Sequence, residues 1–216
     1  MYANAKAPLL ELFTAAKNGG VKYIVLLSSM SVEINPDGLL GKMHGNVDAA
    51  IREAGLSYTF IRPRNFASNS RQFWAPSIQK TGKVWITYPN AQSAPVSEED
   101  MAAVALVAVN TDKLLNQAVG LSGTISITQQ EQVKAISRRR ESEGKKPVEL
   151  IVLPAEEWKT FMNQHMPAEF VDQLISFWRL ADGKPELIQS PERITGKPSQ
   201  SFDQWLELNK DAFLKD

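Results

Sequence analysis

Two groups of polar residues follow short apolar segments and could supply a binding site at one edge of a parallel sheet. Ser28 and Ser29 follow the apolar run YIVLL at residues 23–27. Arg62-Pro63-Arg64-Asn65 follows the apolar run YTFI at residues 58–61. Ligands of open parallel sheets bind outside the carboxyl ends of the strands. These hydroxyl, guanidinium and amide groups are therefore predicted to lie at a ligand site.

His44 is the third candidate, because it lies at the start of a predicted helix between the two apolar runs. Imidazole titrates near neutral pH, so His44 could donate a proton; it could equally be bonded to the backbone of the helix start. The second histidine, His165, is far away in sequence, so we expect no histidine-based metal site. The sequence has no cysteine, which excludes thiolate ligands and disulfides and is typical of a reducing compartment.

Alternating helix and strand signals predict the elements that position these residues. An apolar stripe predicts a helix over residues 4–18, and the run at 23–27 is apolar on both faces, as in a central parallel strand. A loop at 30–43, a helix at 46–54 and a strand at 58–61 follow. This order predicts a right-handed strand-helix-strand unit with two parallel strands.

The rest of the chain predicts an α/β protein whose parallel sheet comes first and whose helix-rich lobe begins near residue 129. Thr128 and Glu131 have the spacing of a capping box, and Ser201 is predicted to cap the last helix. The predicted elements are helices at 70–80, 97–109, 129–143, 155–162, 167–180 and 201–213, strands at 84–86, 123–127 and 148–153, and a loop at 90–95.

Composition gives no sign of a nucleic-acid or membrane partner. Lys and Arg number 24, as do Asp and Glu, so no large field attracts a polyanion. Basic residues at 138–140 and 145–146 lie near the end of a Glu-rich helix without aromatic residues, which is typical of a solvated helix end. No apolar run has the length of a membrane span, and residues 1–6 lack a signal-peptide pattern, so a cytoplasmic location is expected.

Five stretches resemble the NmrA-like branch of the atypical short-chain dehydrogenase/reductases, and they occur in the order of that family. A further stretch, LGKMHGNVD at 40–48, resembles the festuclavine/agroclavine synthase-type reductases of ergot alkaloid pathways. The five stretches are GVKYIVLLSS (20–29), GLSYTFIRPRNFASN (55–69), APVSEEDMAAVA (94–105), LSGTISITQQEQV (121–133) and ITGKPSQSFDQWLELNKDAF (194–213).

The resemblance implies the C-terminal portion of a Rossmann-type parallel sheet that binds NADP or NAD, followed by a small lobe that closes over the substrate. Residues 1–128 would then be a partial cofactor-binding domain and residues 129–216 the substrate lobe. The implied activity is hydride transfer to an activated C=N or C=C bond of a small hydrophobic or alkaloid-like molecule. The family also contains non-catalytic members, so a sensor or interaction protein is the alternative.

The same resemblance implies roles for the strand-end residues. Ser28 and Ser29 would lie under the nicotinamide ribose, where a hydroxyl can bind the ribose or a substrate carbonyl, or satisfy local backbone groups instead. His44 takes the position of the Lys in the Tyr-x-x-x-Lys pair of many relatives, and Leu40 that of the Tyr. The missing pair favours reduction of a bond that needs no proton donor. His44 and Ser29 are the candidate catalytic residues.

Further residues after the second strand are implied to contact cofactor or substrate. Backbone at Pro63, Arg64 and Asn65 would approach the nicotinamide carboxamide, and Phe66 would contact both cofactor and substrate. Asn69 and Trp74 would line the substrate pocket, although a Trp at this position could equally be core. We expect Arg62 to form a structural ion pair.

The glycine-rich opening of the family fold does not occur in the sequence. No G-x-G-x-x-G follows a strand, and Gly38, Gly41 and Gly45 lie well beyond the end of the first strand. We therefore expect residues 1–216 alone to bind NADP or NAD poorly and the uncovered edge of the 23–27 strand to promote self-association. The chain could be a fragment, a truncated paralogue covered by a partner or a second copy, or a locally rearranged fold.

Overall fold

The computed structural model describes residues 6–215, and residues 4 and 5 of the first predicted helix lie outside that range. The helices are α1 Lys6–Asn18, α2 Ser31–Ile34, α3 Leu39–Glu53, α4 Ser68–Thr81, α5 Glu98–Asn110, α6 Gln129–Ser142, α7 Ala155–Met162, α8 Ala168–Ala181, α9 Glu192–Thr195, α10 Phe202–Asn209 and α11 Asp211–Leu214. The strands are β1 Tyr23–Leu27, β2 Ser57–Pro63, β3 Lys83–Ile86, β4 Gln92–Ser93, β5 Gln117–Leu121, β6 Ile127–Thr128 and β7 Glu149–Val152.

The chain forms two compact units, each built from three separate stretches of sequence. The first unit comprises the residues up to Arg64, Glu99–Leu121 and Pro191–Lys197. The second comprises Asn65–Glu98, Ser122–Ser190 and the residues from Pro198 onward. The two units are defined by how residues pack. The predicted division into a cofactor-binding part, residues 1–128, and a substrate lobe, residues 129–216, is a different kind of boundary and stays a prediction.

The sheet of the first unit has the order β1-β2-β5 with all strands parallel. Leu27 pairs with Ile61, so Ser28 and Arg62 leave the sheet at the same edge, as the sequence predicts. β2 is buried over Thr59–Pro63, as expected for a central parallel strand. β1 pairs only with β2 within residues 6–215, and its last residue, Leu27, is 52% exposed.

Each unit has its own apolar core. In the first unit, Ile51 of α3 packs with Leu56 and Phe60, and Phe13 of α1 adds to this cluster. In the second unit, Ile86 and Trp205 belong to a larger cluster beside the parallel pair β3-β7. The remaining buried apolar members of that cluster are Ala67, Ala75, Ile78, Val84, Val133, Ala135, Ile136, Phe202, Leu206 and Phe213.

The loop predicted over residues 30–43 is wrong, because this stretch contains α2 and the beginning of α3. Gly38 precedes α3 with an extended backbone, and the helix therefore begins at Leu39. Gly41 allows the chain to pass close to this first turn, since a Cβ atom there would lie 2.0 Å from the carbonyl oxygen of Asn35. Gly41, which suggests a loop in the sequence, instead permits tight packing at the first turn of α3.

The strand predicted over residues 123–127 is also wrong, because the third parallel strand is β5 at Gln117–Leu121. The residues Gln117, Ala118 and Gly120 have low strand propensity, so the sequence pattern does not predict a strand at β5. Pairing with the buried strand β2 places β5 in the sheet. A Cβ atom on Gly123 would lie 2.1 Å from the Pro95 carbonyl oxygen, which shows a close backbone crossing. The predicted loop at 90–95 contains the short strand β4, which pairs antiparallel with β6.

The predicted helix starts at Thr128 and Ser201 are confirmed, since both form complete capping boxes, with Glu131 and Gln204 respectively. Hydrogen bonds from the backbone and hydroxyl of Thr128 lower the pKa of Glu131. The last predicted helix is interrupted at Lys210, which separates α10 from α11. None of the helices within residues 6–215 combines the length and apolar character needed to cross a bilayer.

Candidate functional site

Arg62 and Asp48 form a buried ion pair beneath the strand ends of the first unit. Asp48 is 1% exposed and Arg62 is 5% exposed, and Arg62 Nη2 donates to Asp48 Oδ2. Arg62 Nη1 also donates to Glu33 Oε1 at 2.5 Å, although the Glu33 side chain is half exposed. Burial lowers the pKa of Arg62, but hydrogen bonds and charges from Asp48 and Glu33 outweigh it and raise the pKa. The predicted structural ion pair of Arg62 is therefore present.

Ser28 belongs to the same buried network rather than to an open surface. It is 2% exposed, and its Oγ donates to Asp48 Oδ1 at 2.9 Å. The hydroxyl hydrogen of Ser28 is therefore used inside the protein, and only its lone pairs remain for a ligand. Because the same carboxylate accepts from Arg62, Asp48 fixes both strand ends at once.

The hydroxyl of Ser29 accepts hydrogen bonds, whereas the hydroxyl of Ser28 donates one. Its Oγ accepts from the backbone N–H of Ser31 at 3.1 Å and from the Ser31 hydroxyl at 2.8 Å. A serine hydroxyl has two lone pairs and one hydrogen, so both acceptor sites of Ser29 are filled. Among residues 6–215, no acceptor receives its hydrogen. Ser29 is partly exposed and can therefore donate to a ligand.

His44 lies on α3 one helical turn before Asp48, so the two side chains share a face of the helix. Burial lowers the pKa of His44 below its ordinary value of 6.5, and the negative charge of Asp48 opposes this only in part. His44 is therefore neutral at pH 7. In that state it can bind a hydroxyl group through hydrogen bonds but does not hold an extra proton for transfer.

We expect the ring protons of His44 to titrate below pH 6.5 in the folded protein. Because the unfolded chain binds this proton at higher pH, neutral His44 contributes stability that is present above pH 6.5 and is lost as the pH falls through the folded pKa. NMR titration measures this value, and the same protein in urea supplies the reference near 6.5. A folded pKa at or above the value in urea would contradict the assignment.

The other predicted site residues divide between the two units. Pro63 is buried at the end of β2, and Arg64 is exposed while its backbone N–H donates to the Leu121 carbonyl at 3.3 Å. Asn65 begins the second unit and accepts a backbone bond from Val96 at 2.9 Å. Phe66 forms an isolated parallel bridge with Val96 and is half-buried.

Asn69 and Trp74 have different environments within the second unit. Asn69 Nδ2 donates to Asn65 Oδ1 at 2.8 Å, so two predicted site residues are directly linked. Trp74 packs against the apolar core of that unit, which corresponds to the core alternative for this residue. The roles of all these residues toward cofactor or substrate stay predictions.

The sequence reasoning missed Asp48, which joins the strand ends of the first unit, and Ser93, which accepts hydrogen bonds from two amides in the second unit. Asp48 is a carboxylate on the same face of α3 as the apolar residues Ile51 and Val47, which is a signal for a buried ion pair. Ser93 lies in the predicted loop at 90–95, where no local pattern shows its hydrogen bonds.

No family model matches the sequence. A (4-alkanoyl-5-oxo-2,5-dihydrofuran-3-yl)methyl phosphate reductase of Streptomyces griseus is 31% identical over 203 residues, which cover 92% of this chain and 70% of that protein. An agroclavine dehydrogenase of Claviceps fusiformis is 24% identical, with 96% of this chain and 71% of that protein covered. A nitrogen metabolite regulation-like protein of Gibberella fujikuroi is 23% identical, with 94% and 71% covered.

Among solved structures, a NADPH-dependent quinone oxidoreductase of Escherichia coli has the same fold. The TM-score is 0.72 at 18% identity, and the match covers 93% of this chain and 72% of that one. The chain belongs to the NmrA-like branch of the atypical short-chain dehydrogenase/reductases, a family of NAD(P)H-dependent reductases. The predicted family and fold class are confirmed, and the relatives favour the reductase over the sensor alternative.

Proposed function

We propose that the chain supplies the nicotinamide-binding and substrate-binding residues of an NAD(P)H-dependent reductase for small hydrophobic molecules. The observation that carries the proposal is the hydroxyl of Ser29, which lies at the carboxyl edge of the parallel sheet with its hydrogen free to donate. The named substrate of the Streptomyces relative contains a 5-oxo-2,5-dihydrofuran, a ring in which a C=C bond is conjugated to a carbonyl. A C=C bond conjugated to a carbonyl accepts hydride readily because the carbonyl oxygen takes up the negative charge, whereas an isolated C=C bond does not.

The residues present fit the nicotinamide end of the cofactor. Ser28 is buried and would support the site through its bond to Asp48, whereas neutral His44 can donate to or accept from a ribose hydroxyl. The turn after β2 would offer backbone groups for a carboxamide at Arg64, which is exposed, and at Asn65 and Phe66, which are partly buried. NAD(P)H would supply the hydride when bound.

The chain's own contribution to the reaction is orientation and hydrogen bonding. Ser29 would donate to a ribose or substrate oxygen, and the buried Asp48–Arg62 pair would hold the strand ends in place. His44 does not store a proton at pH 7, so the proton that completes the reduction of a C=C bond would come from water. This arrangement needs no tyrosine in the position of Leu40.

The test is NADPH oxidation by the protein purified from its own host, so that any companion segment or subunit is retained. With a butenolide, a quinone or an iminium salt as acceptor, we expect substrate-dependent loss of NADPH absorbance. Ser29→Ala should lower kcat/KM by about tenfold to a hundredfold, as for loss of one positioned donor.

Ser142→Ala is the matched control, because its hydroxyl only donates to the Arg139 carbonyl at the end of α6. Its activity should equal that of the wild type. Absence of NADPH oxidation with all three classes of acceptor would overturn the proposed function. An unchanged rate in Ser29→Ala would remove Ser29 from the site while leaving the reductase activity in place.

We also propose that β1 pairs with a second copy of the chain when its outer edge is uncovered. Tyr23–Leu27 presents unpaired backbone groups on that edge within the described residues, and Leu27 is 52% exposed. The lack of cysteine suits a reducing compartment, and we propose that the protein works in the cytoplasm.

A further inference from the structure

A cavity of about 450 Å³ lies in the second unit, at the carboxyl ends of the parallel strands β3 and β7. Thr87 and Tyr88 follow β3, Val152 and Leu153 lie where β7 ends, and all four line the cavity. The volume is typical of small-molecule pockets, and ligands of open parallel sheets bind at this end of the strands. The cavity is therefore a candidate ligand site whose walls all belong to one unit.

The hydroxyl of Thr87 has no partner within residues 6–215, although the residue is buried. Thr87 is 2% exposed and lines the cavity. Its oxygen is not one of the fully enclosed unpartnered atoms of the described residues, so it reaches the cavity. Buried polar groups normally form hydrogen bonds, and an unused hydroxyl in a cavity wall therefore indicates a ligand. Both lone pairs and the hydrogen of Thr87 are available to that ligand.

The wall that carries Thr87 and Tyr88 is held by a buried amide. Gln129 is 6% exposed, and its Nε2 donates to the carbonyl of Thr87 at 2.8 Å and to that of Tyr88 at 3.1 Å. Tyr88 has a φ of 51°, in the left-handed region that tyrosine rarely adopts. Such backbone persists only where the surrounding structure enforces it, and it is concentrated at ligand sites.

Asp182 supplies the charged side chain of the cavity wall, and no other charged residue among those described lines it. The backbone of Asp182 forms an isolated bridge with Ala91, and the N–H of Gly183 donates to the Asn90 carbonyl at 3.0 Å. The Asp182 carboxylate is exposed and forms no ion pair within residues 6–215. Asp182 also follows the last residue of α8, where the helix dipole adds partial negative charge.

The positive charges near the cavity are weak or lie off its wall. The start of α7 at Ala155 carries the partial positive charge of a helix N-terminus, which Glu156 and Glu157 in the same turn offset. Arg179 in the last turn of α8 does not line the cavity. The electrostatic field of the cavity therefore favours a cation.

We propose that this cavity binds a small primary ammonium ion with an aromatic body. An ammonium group has three donors and no acceptor, so it can donate to the Asp182 carboxylate and to the Thr87 oxygen. The ring of Tyr88 attracts a cation through its face, and Val152 and Leu153 cover the apolar part of the ligand. This binding uses the second unit only and does not depend on the proposed reductase activity.

Calorimetric titration with 2-phenylethylammonium chloride, on the protein purified from its own host, tests the proposal without turnover. We expect one saturable site per chain with a dissociation constant of about a millimolar or tighter. 2-Phenylethanol has the same carbon skeleton without the charge and should bind about fivefold more weakly. Equal affinities for the two probes would overturn the proposal.

Two substitutions test the groups that would hold the ammonium ion. Asp182→Asn removes the charge with little change of shape and should weaken binding of the ammonium probe about fivefold, while binding of 2-phenylethanol stays the same. Thr87→Val removes the hydroxyl and should weaken ammonium binding about fivefold, as for one neutral hydrogen bond, whereas Thr87→Ser should retain it. An unchanged affinity for the ammonium probe in Asp182→Asn or in Thr87→Val would overturn the proposal.

Asp203→Asn is the matched control for charge. Asp203 is exposed in the first turn of α10, belongs to the same unit and does not line the cavity, so this variant should bind as the wild type does. A loss equal to that of Asp182→Asn would show a general charge effect and overturn the proposal. Thr87→Val should unfold at the same urea concentration as the wild type or a higher one, because its hydroxyl has no internal partner to lose.

Discussion

Replacing Asp48 with alanine should destabilise the protein by about 3–5 kcal/mol, because it leaves the charge of Arg62 buried without its main partner. Arg62 is 5% exposed and Asp48 is 1% exposed, so the guanidinium has little contact with bulk water to compensate for the lost carboxylate. Ser28 would also lose the acceptor of its hydroxyl. Urea unfolding of both proteins measures the change in the free energy of unfolding.

Glu33→Gln provides the control for this experiment. The Glu33 side chain is 50% exposed, so loss of its charge should cost less than about 1 kcal/mol. The double variant Asp48→Leu with Arg62→Met should regain most of the stability, since it removes both buried charges. A loss below about 1 kcal/mol in Asp48→Ala would show that the pair does not hold the strand ends.

Residues 1–216 alone should bind NADPH no tighter than about millimolar, roughly a thousandfold weaker than a micromolar cofactor site. Pyrophosphate binding needs a glycine turn that presents backbone N–H groups. Here β1 is followed by the four-residue helix α2. The backbone of Gly41 packs closely against the backbone of Asn35. A few hydrogen bonds of about 1 kcal/mol each do not offset the cost of immobilising the ligand.

Calorimetric titration with NADPH measures the affinity, and sedimentation of the same sample measures self-association through β1. Leu27→Lys should reduce the association, because a charge on an edge strand opposes pairing. Leu106→Lys is the control, since Leu106 is 61% exposed but lies on α5. A saturable micromolar site on a monodisperse monomer would contradict both expectations.

Continuous or strongly local signals made part of this fold predictable. β1 is an uninterrupted apolar run and β2 is built around Tyr58, Phe60 and Ile61. Their parallel pairing places Ser28 and Arg62 at the same edge of the sheet, as expected. α6 has a capping box within four consecutive residues. β5 has no such signal, because Gln117, Ala118 and Gly120 become a strand only through pairing with β2.

The candidate site was predictable in its position but not in its hydrogen bonds. Strand ends locate Ser29 and Arg62, yet the direction of each bond depends on residues that meet only in the fold. Asp48 joins Ser28 and Arg62 across separate elements, and Gln132 reaches Ser93 from α6. Whether a hydroxyl donates or accepts is decided by these tertiary partners.

The late stretch Pro191–Lys197 affects how the protein folds during synthesis. This stretch belongs to the first unit, where Arg193 Nη2 donates to the Gly120 carbonyl at 2.7 Å and Lys113 Nζ donates to the Ile194 carbonyl at 2.6 Å. Domains usually fold in order as they leave the ribosome. Here the first unit stays incomplete until residue 197 has been translated, so a ribosome stalled before residue 191 would hold two unfinished units rather than one finished domain.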